Sequence, residues 1–199
     1  ASVEILSDSS NVSYRMQVHN NKDNPNYIFN AIVEGTLTEK GTTIKSRLYD
    51  WKDRLGLATD MSAAMEDNGV KVTFIGHGPV LGYKKFTVNK DNDLFLSEDK
   101  RVSANLKLTA SDGTGLQVYT NDENADALQD ITLSVNKLDL DDIFAILPFT
   151  PNMTGILDGD FHAIQTPDEL TVSSSLTVSN MIYEGCKMGD VGTEFTYMP

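Results

Sequence analysis

From Leu170 to Val178 the chain reads L-T-V-S-S-S-L-T-V, with Leu170, Val172, Leu176 and Val178 on one parity and Thr171, Ser173, Ser175 and Thr177 on the other. A period of two sends successive side chains to opposite faces of a β-strand. The segment therefore predicts a strand with an apolar face and a hydroxylated, uncharged wet face. At about 3.3 Å per residue it is roughly 30 Å long, which is long for a strand of a compact domain. The alternation recurs along most of the chain. Tyr14, Met16 and Val18 alternate with Arg15, Gln17 and His19, and Leu57, Met61, Ala63 and Met65 share a parity interrupted by Thr59. Val70, Val72 and Phe74 follow, then Phe86 and Val88, then Val102, Ala104, Leu106 and Leu108 alternating with Ser103, Asn105 and Lys107. Leu116 and Val118 continue the pattern, and Ile131, Leu133 and Val135 alternate with Thr132, Ser134 and Asn136. Turn signals stand at Lys40-Gly41, Asn68-Gly69, Asp112-Gly113 and Asp158-Gly159,. The pattern predicts an all-β chain of about a dozen strands in an antiparallel up-and-down meander, with one apolar and one polar face.

One segment breaks the alternation. Leu138–Leu147 reads L-D-L-D-D-I-F-A-I-L and is followed by Pro148. Asp139 or Asp141 suits a helix N-cap, the acidic cluster suits the positive end of the helix dipole, and Pro148 stops the helix. A short helix of about two turns is expected near 139–147, covering an end of the sheet or plugging its apolar face. Asn121–Asp126 reads as a polar loop, and no linker or composition shift divides the chain.

Charge narrows the partners. The 199 residues carry 29 acidic against 16 basic side chains, a formal charge of −13. Such a surface repels nucleic-acid phosphates and disfavours adsorption to anionic membranes. No apolar run approaches the length of a membrane helix,. Cys186 is the only cysteine, so there is no internal disulfide framework, and with the scattered His19, His77 and His162 it makes no thiolate zinc cage,. The chain begins at Ala1 and ends at Met198-Pro199, which reads as a segment of a longer protein.

The candidates for chemistry have simpler explanations. Asp158 and Asp160 stand two residues apart, the spacing of a metal-ligand or acid–base pair on one strand face. The simpler reading is a strand over Gly155–Ala163 with Leu157, Phe161 and Ala163 inward and the aspartates in water. Asp91-Asn92-Asp93 resembles the start of a calcium loop, but Leu96 and Val102 occupy the positions that need Gly and Glu,. His77 lies in the tight loop Gly76-His77-Gly78-Pro79 without an obvious partner. Cys186 has Lys187 beside it, but neighbours on a strand face opposite ways, so it reads as a passive thiol. Trp51, between Asp50 and Lys52, is a carbohydrate platform or a packing residue. No Ser/His/Asp spacing, phosphate-binding loop or dinucleotide fingerprint occurs. The sequence calls for no catalytic residue, metal or cofactor.

The last third of the chain has a specific order. An alternating strand (Leu128–Val135) leads through Leu138-Asp139-Leu140 into the short helix; then come Thr154-Gly155-Ile156-Leu157-Asp158-Gly159-Asp160-Phe161 and the strand Leu170–Val178. The chain closes with Tyr183-Glu184-Gly185-Cys186-Lys187-Met188-Gly189 and Phe195-Thr196-Tyr197. This order resembles the repeated unit of the TamB family, the translocation and assembly module proteins related to AsmA. In that unit a leucine–short helix–G-x-L-x-G-x-L block precedes strands with a Y-x-G-x-x-x-G turn. The resemblance is best over 128–197. It extends to about 85 through Phe86-Thr87-Val88-Asn89, Asp93-Leu94-Phe95-Leu96, Val102–Leu108 and Leu116–Tyr119, in the order of a Bacteroidetes-type member.

The resemblance implies a periplasmic stretch of a chain anchored in the inner membrane, its sheet curled into an open, U-shaped (β-taco-like) apolar groove. Residues 1–199 would be one continuous segment of that groove. It further implies phospholipid transfer between inner and outer membranes or a part in outer-membrane protein biogenesis, with phospholipid acyl chains and an outer-membrane barrel protein as partners. The residues agree independently. An acyl chain of about fifteen carbons needs on the order of 10 kcal/mol of shelter to cross water, and a continuous apolar face provides it. The expected lining is Leu133, Val135, Leu170, Val172, Leu176 and Val178, with headgroups at the polar mouth.

Two sheets packed face to face, as in a β-sandwich adhesin or glycan-binding module, would show the same alternation. Exposed strand edges could also pair with a client strand by β-augmentation. A glycosidase using Asp158 or Asp160 stands behind both.

Overall fold

The structure is a computed structural model and describes residues 1–8, 10–20, 29–121, 127–147 and 150–198. The expected loop beyond Asn121 and the residue Pro148 lie outside the described residues. The fold is all-β, with fifteen antiparallel strands and one short helix among the described residues. The chain divides into two compact units, Ala1–Thr87 with Asp142–Thr150, and Val88–Asp141 with Pro151–Pro199.

Unit 1 carries β1 (Ser2–Ser7), β2 (Asn11–Asn20), β3 (Phe29–Thr38), β4 (Gly41–Tyr49), β5 (Leu55–Glu66) and β6 (Gly69–Phe74), each paired with the strand before it. The meander is interrupted once. β7 (Val80–Leu81) pairs with the first half of β5, Leu57 opposite Leu81, while β6 takes the second half. β8 (Lys84–Val88) folds back on β7.

The β5–β6 turn differs from expectation by one residue. Glu66 pairs with Gly69, so Asp67 and Asn68 form the turn. Gly69 is buried as the first strand residue.

Register in unit 1 aligns charges that sequence spacing does not reveal. Glu4, Arg15, Glu34, Lys45 and Asp60 lie directly opposite one another on successive strands β1 to β5, with alternating sign. Arg15 bridges Glu34 at 2.8 Å and Arg47 bridges Asp60 at 2.6 Å. An exposed pair such as Arg15–Glu34 adds roughly 0.2–1 kcal/mol, and the Arg47–Asp60 pair is part-buried,. They also oppose a one-residue slip, which would turn the charges toward the apolar face.

Unit 2 carries β9 (Asp93–Ser97), β10 (Val102–Ala110), β11 (Gly115–Thr120), β12 (Gln129–Asp139), β13 (Met153–Gln165), β14 (Leu170–Tyr183) and β15 (Cys186–Tyr197), again in sequence order. Asp112 and Gly113 form a turn as expected, Gly113 N–H donating to Ala110 O at 3.1 Å. At the far end of β10 the Gln129 amide pairs with the backbone of Val102. Its Oε1 accepts from Val102 N–H at 2.7 Å and its Nε2 donates to Val102 O at 2.6 Å.

The predicted helix forms as α1 (Leu140–Phe144), shorter than expected. Asp139 caps it, Oδ1 accepting from Asp141 N–H at 3.0 Å,. The chain then tightens to i→i+3 bonds, Ile146 N–H to Ile143 O and Leu147 N–H to Phe144 O, both 3.3 Å,. From Asp142 onward the segment belongs to unit 1, where Ile146 is buried over Gly56; a Cβ there would lie 3.1 Å from Ile146 Cβ. In unit 1 the segment therefore packs on β5 at Gly56, where the pairing of β4 with β5 shifts register between Leu48 and Tyr49.

The same corner ties down the β7–β8 turn. Tyr83 Oη donates to Asp50 Oδ2 at 3.1 Å, Arg54 pairs with that carboxylate at 2.8 Å, and its guanidinium lies 4.5 Å over the Tyr83 ring. Burial first, and then the neighbouring carboxylate, push the Tyr83 phenol up to about 12. The folded value lies above the ordinary 10.0, so this contribution to stability is complete below that pH and disappears as pH rises through the folded value. In an ultraviolet titration of the seven tyrosines, one is expected to ionise last, and Tyr83→Phe should remove that late component. An unchanged late component would assign it elsewhere.

Candidate functional site: the apolar face of unit 2

Antiparallel pairing puts directly opposed residues on the same face, so register decides which apolar side chains meet. One row across unit 2 runs Leu106, Val118, Leu133, Phe161, Ser174, Phe195. The next runs Leu108, Leu116, Val135, Gly159, Leu176, Thr193. Ile131, Ala163, Val172 and Tyr197 form a third, and Leu157, Val178 and Val191 a fourth. Leu170 stands opposite Gln165 at the margin. The six residues expected to line a groove, Leu133, Val135, Leu170, Val172, Leu176 and Val178, thus share one face.

Burial is greatest on β10 and lower on β12–β15, with Ser174 the exception. Leu106 and Leu108 on β10 are buried, and Leu116 and Val118 on β11 are partly buried. Leu133, Phe161 and Phe195 are 40%, 38% and 44% exposed. Val135, Val172, Leu176 and Val178 are half-buried, and Leu170 is exposed.

Gly159 sits between Val135 and Leu176 with φ +137°. A Cβ there would lie 2.8 Å from Leu176 Cα and collide with Ser175 O. The glycine lets β13 and β14 close up and leaves a flat place between two lining side chains. Further along, Glu184 and Gly185, φ +49° and +79°, make the two-residue turn into β15,. Both sites fall on the glycine-containing blocks of the sequence motif.

Ser174 is the residue that the sequence reading passed over. It has the parity of Val172 and Leu176, is 4% exposed, and its Oγ has no hydrogen-bond partner. Burying a hydroxyl in this state costs about 1–3 kcal/mol. The parity of the middle serine in Ser173-Ser174-Ser175 is visible in the sequence; the two phenylalanines opposite it are not.

The other face is polar. Thr132, His162, Ser173 and Thr196 form one row, and Ser134, Asp160, Ser175 and Glu194 the next. Asp130, buried, meets His162 Nε2 at 2.7 Å and clips β12 to β13. Register thus brings Asp130, His162 and Ser173 onto adjacent strands although no sequence spacing announced it.

Asp158 accepts from Lys137 N–H at 2.8 Å, holding the bulge where β12 shifts register between Val135 and Leu138. Its role in the fold is therefore to satisfy a backbone donor that the bulge frees. Asp160 faces solvent. Asp93 opens β9 beside a turn, and His77 and Cys186 are exposed. Trp51 is half exposed, with Lys52 Nζ 4.6 Å from its ring centre. Among the described residues no group of three or more His, Cys, Asp or Glu is placed to hold a metal ion, and no helix is long and apolar enough to cross a membrane. No family, curated protein or solved structure matches the chain.

Proposed function

We propose that this chain is a stretch of a lipid conduit: its apolar face shelters phospholipid acyl chains in transit between the inner and outer membranes, within a TamB/AsmA-like protein of the periplasm. The observation that carries this reading is the in-register apolar face of β12–β15, whose large side chains stay open to solvent. A filled sandwich would cover such side chains with a second sheet. Each methylene laid on the face recovers roughly 0.8 kcal/mol, so shelter needs length and continuity rather than residue-specific chemistry. On this reading the sheet curls into an open U and the headgroup rides at its polar margin.

The test is photo-cross-linking in cells with reactive residues at positions 172 and 173 of the intact protein. Phospholipid adducts are expected at 172 and not at 173. Adducts at neither position, with the protein intact, would point to a filled core and sink the conduit reading.

One observation favours a second reading, capture of an extended client strand such as that of an outer-membrane barrel protein. β15 ends the strand order, is paired on one side by β14, and is exposed at all 12 residues, the description of an edge that accepts another strand. Peptide rather than lipid adducts at β15 would support it.

A further inference from the structure

We infer that Ser174 is the position on the apolar face that reads the acyl ester of a bound lipid, its Oγ–H donating to an ester carbonyl. The inference rests on the conduit reading and deepens it. Ser174 is more than nine-tenths buried and its Oγ is unpartnered. Phe161 stands directly opposite it on β13 and Phe195 on β15, while Val172 and Leu176 flank it along β14. A donor ringed by hydrocarbon on four sides fits a ligand that brings one acceptor and is otherwise hydrocarbon.

An acyl ester is such a ligand: its carbonyl reaches the hydroxyl once the flanking phenylalanine side chains, which are themselves open to solvent, turn aside, and the chain runs over them. A peptide strand laid on this face is a poor fit. Its backbone presents N–H and C=O groups at every residue, and these would land on Phe161, Phe195, Val172 and Leu176 without partners. Occupation by an ester also explains why a hydroxyl persists at a place where alanine or valine would suit an empty face better.

The experiment is competition between dioleoyl phosphatidylethanolamine and its dialkyl ether analogue, which lacks the carbonyls. The protein is mixed with equal amounts of both and the retained lipid is weighed by mass spectrometry. The wild type is expected to retain the ester form in roughly three- to tenfold excess, the worth of one hydrogen bond. Ser174→Ala should bring the ratio to one, and Ser174→Thr, which keeps the hydroxyl, should restore the preference. Equal retention of both lipids by the wild type, or an undiminished preference in Ser174→Ala, overturns the assignment and leaves the conduit standing. Retention of neither lipid overturns both, and recovery of peptide in place of lipid does the same in favour of a client strand.

Discussion

Val172→Asp is expected to stop lipid passage along the face, while Ser173→Asp, one residue away, leaves it close to wild type. Val172 lies between Ala163 and Tyr197 on the apolar side, and Ser173 between His162 and Thr196 on the polar side. A carboxylate at 172 keeps its hydration shell, and an acyl chain passing over it must either strip that water or lose contact with the sheet. Stripping an unpaired carboxylate costs several kcal/mol or more, so transfer should fall by about tenfold or more. At 173 the new carboxylate meets water and the His162 imidazole. The measurement is lipid transfer between donor and acceptor vesicles, with circular dichroism to check that both variants are folded. Equal losses at the two positions would argue against a one-sided conduit.

Gly159→Val should destabilise unit 2 by about 3 kcal/mol or more, combining a strained backbone with an overpacked contact. The φ of +137° is one that side-chain-bearing residues rarely adopt, and the added Cβ meets Ser175 O and Leu176 Cα on the neighbouring strand. Hydrogen exchange of the β13 and β14 amides should report the loss. Gly113→Ala is the comparison: φ is +88°, but nothing lies within 4 Å of a Cβ there. Its cost should be the backbone term alone, about 1 kcal/mol. Two equal and small effects would mean that close strand approach at Gly159 is not what the glycine provides.

The sequence by itself determined the all-β class and the two faces of its clearly alternating strands. Alternation is a local property, so Leu170–Val178 declares its apolar and polar sides without knowing its neighbours,. A cap was equally local, since a side chain two residues from the amide it accepts needs no tertiary partner; the sequence offered Asp139 or Asp141 and the structure uses Asp139,. Tertiary structure decided what each face meets. Ser174 lies between Phe161 and Phe195, Asp130 against His162, and Glu4 in line with Arg15, Glu34, Lys45 and Asp60, all through register between strands distant in sequence. Register is set by the fit of whole strands and by bulges such as the one Asp158 holds open at Lys137. A period of two fixes which side a residue faces; only pairing between distant strands fixes its neighbour across the gap.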